Sequence, residues 1–550
     1  MAEKEPNVAL VKPEEKPAVV PPFRCLGYSL GVYYYFSRGE QAVVAISAGA
    51  HGKKSLYRLA PHSYWVKEYP GKKDDFAEDQ ASSRLMETCQ AAGIFSVKKM
   101  RGRGVWYDKG GVIIHYGDRV TIEGVDYKPF LTPGKYIYEL AEPLGFMPCN
   151  PLKPEQGQQL TSLIEQLRWQ TPDQHQWFSG WLVCALIGGA LSWRPHIWLT
   201  GGAQSGKSTL SKIMNSILRG NCLYIKSVST EAGIRQTLKA DCLAVVMDEA
   251  EREDATSHGR IQSILCLARQ ASSDDDSRIV KGTPLGTALN FQIRSPFCLS
   301  SINPSLTQSA DKGRFTNIEL SSKKLTGDVY AKWEKEMDDL LTDDYVQGLY
   351  SRVFNLVPTI VQNAKTIARA IEAKTGDRRL GDQYGALLAG HLILSNDSLL
   401  DHEGAKWLID DINFVLEKEL ASGINDQTRL LNKIMQHVDR IPKDKAFEHI
   451  TIAEMCERIH INIDFSGECK NFLGNHGIAV KGGFIYIAND NDNLGNILRN
   501  TNWPSNWSQT LKRLDFARVS ENAVYFSPSC RARAIMLPVD QVIFDEEDQQ

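Results

Sequence analysis

The residues Gly201, Gly202, Ala203, Gln204, Ser205, Gly206, Lys207 and Ser208 follow the spacing GxxxxGK[ST]. They stand directly after the apolar run His196-Ile197-Trp198-Leu199 and before the helical run Thr209-Leu210-Ser211-Lys212-Ile213-Met214. A strand, a glycine-rich turn and a helix in that order make a phosphate cradle. The glycines let backbone N–H groups curl around a β-phosphate, and the helix N-terminus adds partial positive charge. Lys207 bridges β- and γ-phosphates, and the Ser208 hydroxyl ligates Mg²⁺. Gly201 to Thr209 is therefore the expected binding segment for ATP with Mg²⁺. A second run, Leu243-Ala244-Val245-Val246-Met247-Asp248-Glu249, is a buried strand ending in two carboxylates. Asp248 would join Ser208 in holding the Mg²⁺ shell, and Glu249 would polarise the attacking water. Two solvated acids at a strand end are the plainer alternative, and the order and spacing after the phosphate loop weigh against it.

Three further residue sets extend this chemistry. The strand Phe297-Cys298-Leu299-Ser300-Ser301-Ile302 ends at Asn303, whose amide could orient a water near the γ-phosphate. Eleven residues later, Arg314 precedes the strand Phe315 to Leu320 and is either a solvated loop arginine or a finger that stabilises transition-state charge at a neighbouring subunit. Between the acidic strand and the Asn303 strand, Arg278 to Thr287 reads as a basic hairpin with a Gly, Pro and Gly turn. On residue chemistry alone it is equally a plain surface hairpin. Asp274-Asp275-Asp276 reads as a solvated turn rather than a metal site. Lys98 to Tyr107 mixes basic and aromatic residues, which fits either a solvated loop or a surface that stacks bases and neutralises phosphates.

The elements that must position these residues are legible from periodicity. Between Ile197 and Leu320, apolar strand-like runs alternate with helical ones, as in a parallel sheet covered by helices, so the fold class is α/β. Residues 1–22 form a tail rich in Glu, Lys and Pro. Residues 23–150 form an N-terminal α+β domain, mostly strands interrupted by a helix between Asp75 and Ala92. The P-loop ATPase core occupies 151–340, with a helix expected from Thr171-Pro172 as N-cap and first helical residue. Helical periodicity over 341–425 suggests a lid. Residues 426–550 read helix, helix and a hairpin turning at Gly482-Gly483, a winged-helix-like order.

Composition bounds the alternatives. The chain has 550 residues, 42% hydrophobic and 23% charged, with a formal net charge of −3. That makes several folded domains and argues against a coat of positive charge built for static nucleic-acid binding. Eleven cysteines without a CxxC pair read as reduced thiols in a cytoplasmic protein, with neither zinc nor bridges. The start lacks the apolar stretch of a signal peptide, and Trp177 to Trp193 reads as a buried helix rather than a membrane anchor.

Taken together, the sequence resembles the AAA+ replicative helicase-like ATPases of phages, prophages and mobile elements, of the superfamily 3 and primase-associated type, some with an N-terminal domain of unknown function. The resemblance rests on Phe23 to Tyr28, Arg101 to Trp106, Ser229 to Gln236, the nucleotide motifs and Arg531 to Pro538. It implies a homo-oligomer, a hexameric ring that hydrolyses ATP at subunit interfaces and moves on single-stranded or forked DNA during replication with other replication proteins. It also places a pore loop at the basic hairpin, so Arg278 and Lys281 would track a strand's phosphates. Tyr525 to Ser529 departs from the glycine-rich turn expected before Arg531. Arg378 and Arg379 are second-sensor candidates by position only, and no primase metal site stands out. A regulatory or defence ATPase that assembles on nucleotide, a helicase loader and a primase-helicase are the competing readings.

Overall fold

The computed structural model describes residues 21–543 apart from 148, 202–204, 251–254, 274–278, 283–287, 302–305, 307–310, 312, 322–326, 415–425, 444–445, 464–466, 500, 502, 505 and 529; side chains of 255–258, 279–282, 288–291, 426, 443 and 446 are also left undescribed. The chain divides into two compact units, Met1–Phe414 and Val415–Gln550.

The first unit begins with an antiparallel sheet of β1 (Phe23–Ser29), β2 (Val32–Ser37) and β3 (Ala42–Ser47). Short helices α1 (Lys53–Leu56) and α2 (His62–Glu68) and the longer α3 (Glu78–Ala91) follow. A second antiparallel sheet runs β4 (Gly104–Asp108), β5 (Gly111–His115), β6 (Val120–Ile122) and β7 (Val125–Tyr127). Helices α4 (Pro154–Glu165) and α5 (Gln174–Leu186) then lead to the central sheet.

That sheet is built from β8 (His196–Thr200), β9 (Cys222–Ile225), β10 (Ala244–Met247), β13 (Phe297–Ser300) and β14 (Phe315–Glu319). Every residue of β8, β10 and β13 is buried, the near-continuous apolar pattern of strands covered on both faces. All pairings are parallel and the order is β14-β8-β13-β10-β9. The C-terminal ends of all five strands therefore share one edge. Helices α6 (Lys207–Leu218), α7 (Glu231–Leu238) and α8 (Ala255–Ala271) make the crossovers, and the hairpin β11 (Ile279–Gly282) and β12 (Ala288–Phe291) is inserted before β13.

One expectation from the sequence is corrected here. The helix expected to start at Thr171-Pro172 starts at Gln174 as α5, without a side-chain cap. The preceding residues are pinned along edge strand β14 instead: Gln170 N–H donates to Glu319 O at 2.9 Å, and Glu319 N–H donates to the Gln174 side chain at 3.2 Å. Proline at the first helical position is found one helix earlier, at Pro154.

Helices α9 (Gly327–Leu340), α10 (Asp343–Asn355), α11 (Val357–Thr375), α12 (Arg378–Ser395) and α13 (His402–Leu408) follow. Their buried residues belong to the same apolar cluster as the central sheet. Glycines set how closely they approach. A Cβ on Gly180 of α5 would stand 1.9 Å from Leu387 O of α12, and one on Gly390 would stand 2.5 Å from Gly180 O. Gly180→Ala is therefore expected to lower stability. Overpacking against backbone costs about 1–3 kcal/mol, which outweighs the helix-propensity gain of roughly 1 kcal/mol. A urea midpoint equal to or above that of the unmodified protein would contradict this packing.

In the second unit, α14 (Asp426–Met435) precedes the hairpin β15 (Val438–Lys443) and β16 (Ala446–Thr451). Helix α15 (Ile452–His460) starts with a capping box of Thr451 and Glu454, and α16 (Glu468–Asn475) follows. The hairpin β17 (Ile478–Lys481) and β18 (Phe484–Ala488) turns at Gly482 (φ 57) and Gly483 (φ 77), left-handed at both positions as a two-residue hairpin turn requires. The sheet is completed by β19 (Arg518–Val519) and β22 (Ala534–Pro538). Tyr525 and Phe526 lie on β20 (Val524–Ser527), which pairs with β21 (Cys530–Ala532), and Arg531 sits 5.9 Å from the Tyr525 ring. All eleven cysteines are free. Among the described residues no helix is long and apolar enough to cross a membrane.

Candidate nucleotide site

Strand β8 delivers the chain to the edge where the parallel strands end. Thr200 is tied to β14 through its hydroxyl and Asn317 Oδ1 at 3.2 Å, and Leu320 N–H donates to Thr200 O at 3.0 Å. Gly201 then adopts φ 152 and Gly206 φ 105, left-handed values that a side chain disfavours. A Cβ on Gly201 would stand 2.4 Å from Ser205 Oγ, so a larger residue would fill the cradle. Ser205 Oγ is buried without a partner among the described residues. Helix α6 starts at Lys207 with no side-chain cap, leaving its first N–H groups facing the loop. Lys207 is half-buried, Ser208 exposed and Thr209 buried. A cradle closed to Cβ atoms, an orphan hydroxyl and an uncapped helix start together fit a bound phosphate. Gly202, Ala203 and Gln204 lie outside the described residues.

The acidic pair reaches the same edge. β10 is fully buried, and Asp248 and Glu249 emerge exposed at its end. Asp248 N–H bonds Ile225 O at 3.3 Å and Ala250 N–H bonds Ser300 O at 2.7 Å, so the turn is stitched to the strands on both sides. Glu249 takes φ 57, with its N–H on Asp248 Oδ1 at 3.0 Å. That strained turn fixes where the second carboxylate leaves the strand. Because β13 lies between β8 and β10, the acids stand two strand spacings from the loop, about 10 Å. This leaves room for a phosphate, a cation and a water. Among the described residues there is no cluster of three or more His, Cys, Asp or Glu able to hold a metal alone. Ser208 and Asp248 are two oxygen donors at this edge that could join phosphate and water oxygens around a Mg²⁺.

The end of β13 is held at this edge by Ser301 N–H on Leu199 O at 3.1 Å and by Trp198 Nε1–H on Ser301 Oγ at 2.7 Å. Asn303, two residues on, lies outside the described residues. Tyr330 and Glu334 of α9 were not singled out from sequence. Tyr330 shares a 3.3 Å hydrogen bond with Thr209, and Glu334 pairs with Lys212, so α9 braces α6. The spacing of Tyr330, Trp333 and Met337 marks an apolar helix face but does not reveal which helix it covers.

Arg314 is at the other end of the sheet. β14 pairs Phe315 with His196 and Glu319 with Thr200, so Arg314 precedes the first residue of the strand. Its Nε–H donates to Ser272 Oγ at 3.2 Å. Beside it Asp311 is fully buried, with Arg269 Nε 3.0 Å away, and burial holds its carboxyl above the usual carboxylate range. Nearby, His196 accepts from Phe297 N–H at Nδ1 (3.1 Å) and donates from Nε2 to Ala268 O (2.7 Å); burial pushes it down to about 3, so it stays neutral. Arg378 and Arg379 open α12 near this far end too, because Gln383, one turn on, donates to His196 O at 2.9 Å. The hairpin β11–β12 pairs Ile279 with Phe291 and Gly282 with Ala288. Arg278 lies outside the described residues, and of Lys281 only the backbone is described.

Within the basic stretch Lys98 to Tyr107, three of the side chains that suggested a solvated loop or a base-stacking surface are engaged by the protein itself. Arg101 is buried with its guanidinium 3.3 Å from the Tyr136 ring centre, and Trp106 is buried between Arg101 at 5.0 Å and Arg294 at 5.4 Å. Arg103 is ion-paired with Asp241. Arg101 and Trp106 are therefore packed inside the protein, and the charge of Arg103 is taken up by Asp241. In the segment Ser229 to Gln236, Thr230 caps α7 through Gly233 N–H, and Arg235 pairs with Glu231 at 3.0 Å.

No protein-family description and no curated protein matches the sequence. Among solved structures, the chain is similar to a structure titled SCCmec type IV Cch, active helicase, at 13% identity and a TM-score of 0.48, covering 93% of this chain and 91% of that one. It is also similar to the apo C-terminal region (305–718) of NrS-1, at 12% identity and a TM-score of 0.32, covering 94% and 96%.

Proposed function

We propose that this protein is an ATP-driven DNA helicase or translocase of the AAA+ superfamily 3 type. One observation carries the reading: the sheet order brings the loop of Gly201 to Ser208 and the pair Asp248-Glu249 to one edge, with the Asn303 strand between them. Lys207 and the first N–H groups of α6 hold the β- and γ-phosphates, and Ser208 with Asp248 holds Mg²⁺. When bound, the cation neutralises charge on the phosphates. Glu249 orients a water for in-line attack. The hairpin carrying Lys281 is inserted between α8 and β13, which connect at the edge away from the phosphates, and its assigned role is to meet a DNA strand.

The test is ATP turnover with and without single-stranded DNA, followed by unwinding of a forked duplex. DNA should stimulate hydrolysis, and Glu249→Gln should bind ATP yet stall, because Asp248 remains while water orientation is lost. Turnover indifferent to DNA would favour a regulatory ATPase. Normal hydrolysis by Glu249→Gln would remove the role given to that carboxylate.

A further inference from the structure

We propose that Arg103 and Asp241 form a positioning pair through which the N-terminal sheet sets the acidic strand β10 for hydrolysis, an inference that rests on the site being one for ATP turnover. Asp241 ends the turn after α7, three residues before β10 begins. Its carboxylate is gripped from three sides by one residue: Arg103 N–H reaches Oδ1 at 2.6 Å, and Nε and Nη2 reach Oδ2 at 3.0 and 2.7 Å. Nη1 also donates to Glu142 O at 3.2 Å, so all the guanidinium nitrogens are engaged. Side-chain exposures of 21% and 12% keep the pair largely away from water, where charge-assisted hydrogen bonds, here two guanidinium donors converging on one carboxylate oxygen, are strengthened.

The backbone repeats the grip. Gly102 N–H donates to Ala240 O at 2.9 Å, and Cys242 N–H donates to Arg103 O at 3.0 Å. The approach requires missing side chains. A Cβ on Gly102 would stand 2.3 Å from Asp241 N, and one on Gly104, at φ +116, would stand 2.4 Å from Cys242 Sγ. From Cys242 the chain runs straight through the buried β10 to Asp248 and Glu249. A strand four residues long has little slack, so a shift at its entry is passed to its exit. Displacements near 1 Å at a reacting group can cost about a hundredfold in rate. Arg103 holds the entry of β10, whereas Asp248 and Glu249 stand at its exit, so it acts on the acids only through the strand.

The experiment uses the full chain and steady-state ATP hydrolysis, with Lys207→Ala assayed alongside. Arg103→Ala should lower kcat about tenfold while KM for ATP stays within about twofold, because the phosphate loop is on another strand. Arg103→Lys keeps the charge but loses the planar fork and should lower kcat about threefold. Asp241→Asn should match Arg103→Ala, and the double variant should be no slower than the slower single one. Thermal unfolding of Arg103→Lys close to that of the unmodified protein separates positioning from loss of fold. The proposal is overturned if kcat is unchanged in Arg103→Ala, if kcat and KM worsen together, or if turnover falls only as the folded fraction falls. Should Lys207→Ala itself hydrolyse ATP normally, the reading of the site fails instead; an inactive Lys207→Ala beside a fully active Arg103→Ala sinks the clamp alone.

Discussion

Lys207→Ala is expected to keep its fold and lose nearly all ATP hydrolysis, with turnover down by about 10² to 10³, the usual consequence of removing one preorganised charge or donor from a reacting centre. The fold should survive because Lys207 occupies the first position of α6, where alanine is a good helix former, and its ammonium is in no ion pair among the described residues. The loss should be large because Lys207 is the cation at the start of α6, directly after the cradle formed by Gly201, Ser205 and Gly206. Circular dichroism and thermal melting would check the first half, and phosphate release the second. A folded variant with unchanged turnover would remove the loop from the chemistry.

Arg314 gives the second large effect, and the sheet sharpens it. Arg314 stands before the first residue of β14, whereas the phosphate loop leaves the last residue of the adjacent β8. Five residue steps separate these levels, about 17 Å. Its Nε is also directed onto Ser272. It therefore cannot serve the site of its own subunit, and a catalytic role requires a neighbour. A finger contributes about 10³ to 10⁵ in rate, whereas an arginine on a screened surface contributes almost nothing. Arg314→Ala should be nearly inactive, and Arg314→Lys should not recover, because a point charge does not replace a planar fork. Mixing Arg314→Ala subunits with Lys207→Ala subunits should restore part of the ATPase activity, since one interface then pairs an intact loop with an intact arginine. Normal turnover by Arg314→Ala in the presence of DNA would leave Arg314 as a brace for Ser272 and Asp311. Two inactive parents with no recovery on mixing would mean that the subunits must fire together.

How much of this was legible follows from distance along the chain. The loop, its helix and the acidic pair are each local patterns, in which a strand, a turn and a helix neighbour one another within about a dozen residues. Strand alternation also announced a parallel sheet, since buried runs such as Ala244–Met247 carry no polar positions. The internal partners of Arg101, Arg103 and Trp106 were not legible, for the opposite reason. Sequence shows the charge of Arg103 but not the carboxylate that neutralises it, which is 138 positions away. The start of α5 was misplaced by the same kind of override, because Gln170 and Gln174 answer to Glu319 on a strand that comes much later. The closeness of α5 to α12 depends on glycines whose role is visible only when Leu387 O is seen against Gly180.

The interlocking of Gly102, Arg103 and Gly104 with Ala240, Asp241 and Cys242 also bears on how such a chain can be inherited. A crossover that joined the first 150 residues of one parent to the remainder of another would put Arg103 and Asp241 under separate ancestry. The hybrid would have to match a fork to a carboxylate and two bare backbones to two close neighbours, all at once. A buried acid left without its arginine costs about 3–5 kcal/mol, a large share of a typical domain's stability. Exchange of parts is therefore expected to be tolerated better at Phe414, where one compact unit ends, than at residue 150, which would part the N-terminal sheet from the strand that carries Asp248 and Glu249.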